Sequence, residues 1–553
     1  MRIPLQEYPR PQLARDSYQC LNGIWDYEII GPNVAKSGEI VVPYSPETST
    51  SGVNHVLQPN ETLIYKKRVK WDSSFDSNTE KLILHFDSVD YIAEVFIDGE
   101  LIITHRGGYL PFEVDVCKAD FELMVKVTDP SDTQEQTRGK QKLKHGGIWY
   151  TPQSGIWKTV WLEKVPLNYI QRIKLEPDLT GFYITVFTTE EKTPVSLSIC
   201  DKQYSFISFD RFRVDIASPI LWSPENPHLY TMSVSIDNDK VESYVGLRTF
   251  STGDDGKGNK VLYLNGKPYF HHGVLDQGYY YPGLYTPESD EDMVNDITTM
   301  KELGFNTLRK HIKVEPLRWY YHCDRLGILV WQDMVTGGGK YKFPIISFPL
   351  VLGSFLKDSH YSLFARKDKA MRDEWECEAL SMMQLLENCT SLAMWVPHNE
   401  GWGQFDSARF TKKMLEVDSS RTIDHASGWH DQKIGDFKSL HVYFRKYKFK
   451  RDKLNRAVIL TEFGGYGLTI PEHKTTDKTF VYKDFGTKDA LTDAIVSLYE
   501  NEILPAKKQG LAADIYTQLS DVEEEVNGLI TYDRKEIKVI KERFMKIKEM
   551  LEI

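Results

Sequence analysis

The stretch PLRWYYHCDRLGILVWQD, residues 316–333, decides the fold. From Pro316 to Leu326 its apolar residues recur with the period of an amphipathic helix, and glycine follows at position 327. A short apolar run then ends in the polar residues Gln332 and Asp333. A helix that leads through glycine into a buried strand is one unit of a βα repeat. The unit recurs, with further helices predicted over Asp290–Leu303 and Trp375–Glu387.

The repeat predicts a (β/α)8 barrel over residues 253–553, which is the usual size of such a barrel plus insertions. When strands are counted from Tyr269, Glu400 follows the fourth strand and Glu462 ends the seventh. The count closes at eight with segment 512–518, after a fifth strand predicted over 421–424 and a sixth over 439–443. The connection from Thr336 to Lys369 is long for a βα loop, which favours an active-site loop.

Two all-β domains are predicted to precede the barrel. Residues 1–165 consist of short alternating runs such as Leu82–Phe86, broken at regular intervals by turns such as Asp98-Gly99, which predicts a jelly-roll β-sandwich. Residues 166–252 have the length and strand pattern of one immunoglobulin-like sandwich. Within the first domain, the polar segment Asp132–His145 is predicted to be a mobile loop.

The composition argues against several classes of partner. The formal net charge of -11 offers no general attraction to nucleic acid or anionic lipid, and no window is long and apolar enough to span a bilayer. The six cysteines are scattered without a C-x-x-C pair or zinc spacing, and they are predicted to be reduced and mostly buried. Because the N-terminus also lacks the apolar stretch of a secretory signal, a cytoplasmic location is expected.

Two glutamates indicate the chemistry. Glu400 lies in WVPHNEGW, residues 395–402, and Glu462 lies in VILTEFGG, residues 458–465. A carboxylate at the end of a buried strand is costly to desolvate, so each needs a partner or a catalytic task. Either one alone could be a structural carboxylate bonded to backbone. At strands four and seven of one barrel, however, the two can face one sugar ring, and a spacing of about 5 Å would make one the nucleophile and the other the acid/base of a retaining glycosidase.

Other polar and aromatic side chains are predicted near the same strand ends. Arg309 and Tyr443 are expected to hold the nucleophile charged and aligned, although an ion pair within the barrel and packing at its rim are the alternatives. Asn399 could bond a sugar hydroxyl, while Trp402 and Trp429, on presumed loops, could form a wall for the sugar or simply pack. Several histidines cluster at similar places: His271, His272, His311, His398, His430 and His441.

No metal or cofactor is predicted. The histidines lack an H-E-x-x-H spacing, so hydrogen bonds to substrate hydroxyls or to the carboxylates are favoured over a metal site. The sequence contains no Walker loop, no G-x-G-x-x-G dinucleotide fingerprint and no G-x-S-x-G elbow. Nucleotide-dependent and serine-hydrolase chemistries are therefore disfavoured.

The chain resembles glycoside hydrolase family 2, the family of β-galactosidases, β-glucuronidases and β-mannosidases. The resemblance runs over almost the full length and includes both glutamate motifs, together with segments 21–25 (LNGIW), 105–109 (HRGGY), 154–157 (SGIW) and 304–306 (GFN) followed by Arg309 and His311. It implies a jelly-roll domain, an immunoglobulin-like domain and a catalytic barrel. It also implies that Glu400 is the acid/base, that Glu462 is the nucleophile, and that Asn399 contacts the sugar 2-hydroxyl.

Two departures from the family's pattern bear on the substrate. Better-known members carry Asn-Arg/Lys-His after the first barrel strand, whereas this chain has Leu275-Asp276-Gln277, so Asp276 and Gln277 are expected to bond a different set of sugar hydroxyls. β-Glucuronidases share an Asn-x-Lys clamp for the sugar carboxylate. At the matching place this chain reads Glu525-Val526-Asn527-Gly528, without the lysine, which disfavours a uronic acid substrate.

The sequence therefore predicts a retaining exo-β-glycosidase that releases a terminal β-linked sugar, of β-galactosidase type. The alternative within the family is an enzyme for another β-sugar or an arabinose-like pentoside. The alternative from another class is a carbohydrate-binding protein without catalysis, and the balance between hydrolysis and transglycosylation is left open. The expected partner is a carbohydrate substrate, and assembly of identical chains is left open as well.

Overall fold

The structure is a computed structural model that describes residues 3–347 and 356–552. Part of the predicted active-site loop, residues 348–355, thus lies outside the described residues. Two β-sandwiches precede a barrel of eight parallel strands, as the sequence predicted. The predicted domain boundaries near residues 165 and 252 stay predictions. Within the described ranges, no helix combines the length and the apolar composition that a membrane span requires.

The first sandwich buries the alternate residues of its strands between two sheets. Along Asp120–Thr128, for example, Phe121, Leu123, Val125 and Val127 are fully buried, while their neighbours face outward. One sheet has the spatial order Tyr18–Cys20, Val160–Pro166, Glu80–Phe86, Phe112–Val116. The other has the order Val34–Val42, Gly23–Gly31, Thr62–Lys70, Asp120–Thr128, Ile92–Ile97, Glu100–Arg106, and a two-stranded ribbon joins Val89–Asp90 to Gly155–Ile156.

The second sandwich has the same layered construction on a smaller scale. Its sheets have the orders Ile170–Pro177, Gly181–Thr188, Phe212–Asp215 and Lys202–Ile207, Pro194–Ile199, Tyr230–Ile236, Asp239–Val245. The buried side chain of Arg15 ties it to the first sandwich, because its guanidinium donates to Asp239 at 2.7 and 2.8 Å and to Glu163 at 3.1 Å.

The barrel is one parallel sheet whose strands have the spatial order five, four, three, two, one, eight, seven, six. In chain order they are His271–Asp276, Thr307–Lys310, Leu329–Asp333, Leu392–Val396, Thr422–Ile423, Phe437–Val442, Ala457–Gly464 and Leu511–Thr517. A three-stranded sheet of Phe250–Asp254, Lys260–Leu264 and Lys267–Pro268 precedes them. Leu262 of this sheet packs with Trp331 and Met394 in the barrel interior.

Helices cover the outside of the barrel. The longer ones are Asp290–Glu302, Leu317–Leu326, Lys369–Leu385, Ser407–Val417 and Lys488–Leu498, which continues through a π-turn at Tyr499–Ile503 into Leu504–Gln509. Short helices are Phe343–Ser347, Pro471–His473 (3₁₀), Lys541–Phe544 and Lys546–Leu551, and a minor ribbon pairs Tyr466–Gly467 with Lys483–Asp484. Gly327 ends the second helix in the left-handed conformation, φ 73°, where a side chain would be strained.

Three expectations need correction. The third helix begins at Lys369 and not at Trp375, because the Asp368 side chain caps it by accepting from the backbone N–H of Ala370. The six cysteines are free as predicted, but Cys117, Cys200 and Cys377 are exposed and only two, Cys323 and Cys389, are buried.

The third correction concerns segment 132–145, and its prediction as a mobile loop is wrong. Much of the segment is buried, with Thr137 donating at 2.8 Å to Glu378 of the barrel and the backbone N–H of Gly139 donating at 2.8 Å to Tyr109 of the first sandwich. Its polar side chains are hydrogen-bonding partners for the barrel, which a pattern of local hydrophobicity does not reveal. We call residues 131–150 the sandwich insert.

Candidate active site

The carboxyl ends of the barrel strands bring both predicted catalytic glutamates together. Glu462 lies within the seventh strand, and Glu400 follows the fourth. A carboxylate oxygen of Glu400, a ring nitrogen of His441 and a carboxylate oxygen of Glu462 all lie within 4.8 Å of one another. Carboxyl groups about 5 Å apart suit a retaining displacement, since this gap is too narrow for a water molecule placed for inversion.

Glu462 is held as an anion. Arg309 donates to one of its oxygens at 3.0 Å, and the hydroxyl of Tyr443 donates to the other at 2.5 Å. Burial acts to raise the pKa of Glu462, but the charges of His441 and Arg309 outweigh it and hold that pKa below its ordinary value. An ionised carboxylate with a fixed orientation is what a nucleophile requires.

Glu400 has the opposite electrostatic environment. Burial, and after it the charge of Glu462, raises the pKa of Glu400 above its ordinary value. Its backbone has φ 50°, an uncommon conformation for a residue with a Cβ, and its N–H donates to the carbonyl of Ser427 at 2.9 Å. Two neighbouring carboxyls whose pKa values are moved in opposite directions have the arrangement of an acid and a nucleophile.

His441 links the two glutamates, although the sequence analysis did not single it out from the other histidines. Its Nδ1 lies 2.7 Å from Glu400 and 3.5 Å from Glu462. The Ser427 hydroxyl donates to Thr461 at 2.9 Å, so it accepts from His441 Nε2, 3.1 Å away. This chain of bonds fixes the imidazole ring and aims Nδ1 at Glu400.

Arg309 also positions two other polar side chains of the site, Asp333 and Asn399. Fully buried, it donates to both oxygens of Asp333 at 2.9 and 3.0 Å and to the amide oxygen of Asn399 at 2.7 Å. His311 bonds the same Asp333 at 2.7 Å. The amide nitrogen of Asn399 has no hydrogen-bond partner among the described residues, so it is available to a substrate hydroxyl.

The two residues that follow the first barrel strand have different surroundings. Asp276 accepts from the Lys310 ammonium at 2.5 Å and from the Gly278 N–H at 2.8 Å, so each of its oxygens already accepts one hydrogen bond from the protein. Gln277 donates to the side chain of Gln518 at 2.7 Å. Because Gln518 Nε2 has no partner within the described ranges, this pair still offers a donor.

Aromatic rings from distant parts of the chain form a wall beside the site. The Trp402 ring lies 5.2 Å from that of Trp149 in the sandwich insert and 6.4 Å from that of Tyr341. Trp429 lies 5.2 Å from His441, and its indole N–H donates to the carbonyl of Ile346 at 3.1 Å. Sequence reasoning found Trp402 and Trp429 but missed Trp149, although aromatic residues in an otherwise polar segment are a signal.

The sandwich insert adds a charged contact that the sequence analysis also missed. Lys140 lies 3.8 Å from Glu525, which follows the eighth strand. Tyr150 donates its hydroxyl to the same carboxylate, and Asn527 donates to it at 3.0 Å. In the described part of the chain, the group of His, Cys, Asp and Glu side chains spaced closely enough to bind a metal ion is the Glu400–His441–Glu462 trio, in which His441 lies 2.7 Å from Glu400.

Models of one family match all three parts of the chain. The model described as "Glycosyl hydrolases family 2, TIM barrel domain" matches residues 257–549, which is more than half of the chain. The chain belongs to glycoside hydrolase family 2. Two further models of the family match residues 171–248 and, as "Glycosyl hydrolase 2 galactose-binding domain-like", residues 43–164.

Relatives within the family carry two different activity names. A β-galactosidase of Thermoanaerobacter pseudethanolicus is 26% identical over 301 residues, which cover 49% of this chain and 39% of that protein. A putative β-glucuronidase of Formosa agariphila is 25% identical over 285 residues, which cover 46% of this chain and 33% of that protein. The matched stretches thus span well under half of these relatives' length.

Solved structures share the fold over nearly the whole chain. A β-galacturonidase of Eisenbergiella tayi bound to galacturonate superposes with a TM-score of 0.73 at 17% identity, covering 98% of this chain and 99% of that one. A β-D-glucuronidase of Dictyoglomus thermophilum gives 0.73 at 16% identity. At such identities the likeness concerns the fold alone.

Proposed function

We propose that this protein is a retaining exo-β-glycosidase of β-galactosidase type. One observation carries the proposal: Glu400 and Glu462 lie side by side, with carboxylate oxygens within 4.8 Å and pKa values displaced in opposite directions. Glu462 attacks the anomeric carbon while Glu400 gives its proton to the departing glycosidic oxygen. Glu400 then acts as a base on the water that hydrolyses the glycosyl-enzyme.

Negative charge favours a neutral sugar at residues 518–528, which follow the eighth strand and which we call the strand-eight loop. The carboxylates of Glu523, Glu524 and Glu525 are held there, by the backbone of Thr151, by Gly147 and by Tyr150 respectively. A sugar carboxylate placed beside them would be repelled. The naming of a relative as a β-galactosidase is in line with this proposal.

Turnover of a panel of nitrophenyl β-glycosides tests the function. The galactoside is expected to have the highest kcat/KM, with the glucoside, the galacturonide, the glucuronide and an α-L-arabinopyranoside below it. The product anomer, followed by NMR, should be β at early times. Binding of sugars without hydrolysis of any member would refute the enzyme, and an α anomer at early times would refute retention.

A further inference from the structure

The Lys140 ammonium differs from those of the other buried lysines in the described ranges. Four of them, Lys158, Lys310, Lys313 and Lys538, donate hydrogen bonds at 2.5 to 2.9 Å. Lys140 is also buried, at 6% exposure, yet its ammonium donates to no described residue. Its nearest carboxylate, Glu525, is 3.8 Å away, beyond hydrogen-bonding reach. Its N–H donors are therefore free to bond a partner from outside the protein.

The position of Lys140 points to the substrate as that partner. Its ammonium lies 5.2 Å from the centre of the Tyr150 ring and 5.8 Å from that of Trp402, the wall of the site. Lys140 also lies close enough to Glu400 to act on it electrostatically. Burial and the charge of Glu462 raise the pKa of Glu400, and the positive charge of Lys140 opposes that rise. Glu525 lies near the same place: after burial, its charge and those of Glu400 and Glu462 raise the pKa of Tyr482, whose ring stacks at 4.1 Å on that of Tyr443, the partner of Glu462.

One oxygen atom that lies beside the two groups can bond both of them. An oxygen about 2.8 Å from each of two atoms fits whenever those atoms are less than about 5.6 Å apart, and the Lys140 ammonium and Glu525 carboxylate are 3.8 Å apart. A hydroxyl in that place accepts from the ammonium and donates to the carboxylate, so both charged groups are satisfied by one neutral group. A sugar carboxylate would meet the negative charge of Glu525 instead.

We propose that Lys140, from the sandwich insert, and Glu525, from the strand-eight loop, form a clamp that reads one hydroxyl of a neutral sugar. The clamp rests on the proposed glycosidase function and makes specificity a property of two domains. Tyr150 and Asn527 hold Glu525 in place by donating to its two oxygens. Glu525 alone cannot make both bonds to the hydroxyl, because a carboxylate only accepts hydrogen bonds.

Deoxy substrates test the clamp directly. Lys140→Met keeps the length of the side chain and removes the charge, and Lys144→Met, at an exposed position of the same segment, is the matched control. The kcat/KM of each variant is measured on nitrophenyl β-galactoside and on its 3-, 4- and 6-deoxy analogues. Loss of a hydrogen bond to a charged group should lower the wild-type kcat/KM about 10- to 150-fold for the one analogue that lacks the clamped hydroxyl.

The decisive result is that the effect of Lys140→Met and the effect of removing the clamped hydroxyl do not add. Lys140→Met should lose a similar factor on the parent galactoside but almost nothing further on that one analogue, and Lys144→Met should behave like the wild type on all four substrates. Glu525→Gln, which keeps its size, should couple to the same ring position if Lys140→Met fails to fold. Additive losses at every position would overturn the clamp, as would a variant that loses activity only on a β-galacturonide.

The outcome is separable from that of the proposed function. If another β-glycoside is the best substrate of the panel, the same deoxy series is built on that sugar. If no glycoside is hydrolysed, the proposed function fails, and the coupling is then measured from the Kd of galactose and the deoxygalactoses by calorimetry. Equal Kd values for the wild type and Lys140→Met would refute the clamp in that case.

Discussion

Replacement of His441 by leucine is expected to move the whole pH profile of hydrolysis to higher pH. The imidazole lies 2.7 Å from Glu400 and 3.5 Å from Glu462, and its charge lowers the pKa of both carboxyls. Its removal therefore raises both values. The proposed mechanism requires Glu462 ionised, which sets the acidic limb, and Glu400 protonated, which sets the alkaline limb. Both limbs move up together, whereas loss of a merely structural residue would leave them in place.

The size of the shift follows from the distances. Two unit charges about 4 Å apart interact by about 4 kcal/mol at an effective dielectric constant of about 20. The charge on the imidazole is shared between two partners, and polar groups nearby respond to its loss, so we expect about 1 to 2 pKa units on each limb, within the range that a close opposite charge produces. Burial and Arg309 remain in the variant and set the residual pKa values.

The assay is kcat/KM on the best nitrophenyl glycoside between pH 4 and pH 10, because this ratio reports the free enzyme. His441→Asn, which can keep a neutral donor near Nδ1 but carries no charge, is the matched control and should shift both limbs as leucine does. Limbs that stay within about 0.3 units in both variants, or that move to lower pH, would refute the electrostatic role of His441.

Three further predictions follow from the same geometry. Glu462→Ala should nearly abolish turnover, and azide should restore part of it by taking the nucleophile's place to give the inverted α-azide; a β-azide would contradict the role of Glu462. Glu400→Ala should harm glycosides with poor leaving groups far more than activated ones, because only the former need the acid, and equal losses would argue against it. Lys310→Met should lower the free energy of unfolding by about 3 to 5 kcal/mol in urea melts, since Asp276 and Glu315 would be left buried without their shared cation; exposed Lys508→Met is the control and should change it by less than about 0.5 kcal/mol.

Local sequence pattern was sufficient for the architecture. The order of helix, glycine and apolar strand around Gly327 identifies a βα unit because period and chain reversal are local properties. The same pattern locates Glu400 and Glu462, since a polar residue after a buried strand must lie at the carboxyl edge of the sheet. Strand ends were less well predicted: the fifth strand, for instance, is only Thr422–Ile423.

What the sequence by itself determined is therefore the barrel, the two sandwiches before it and the two carboxylates at its mouth. Only the tertiary structure decided what surrounds them. His441 lies between the two glutamates because the ends of the fourth, sixth and seventh strands face one another. Tyr150 bonds Glu525 although 375 positions of chain separate them. Lys140 reaches the site because a polar segment of one domain is buried by another. Such contacts depend on how whole domains pack, and the periodicity of a short segment carries no record of that packing.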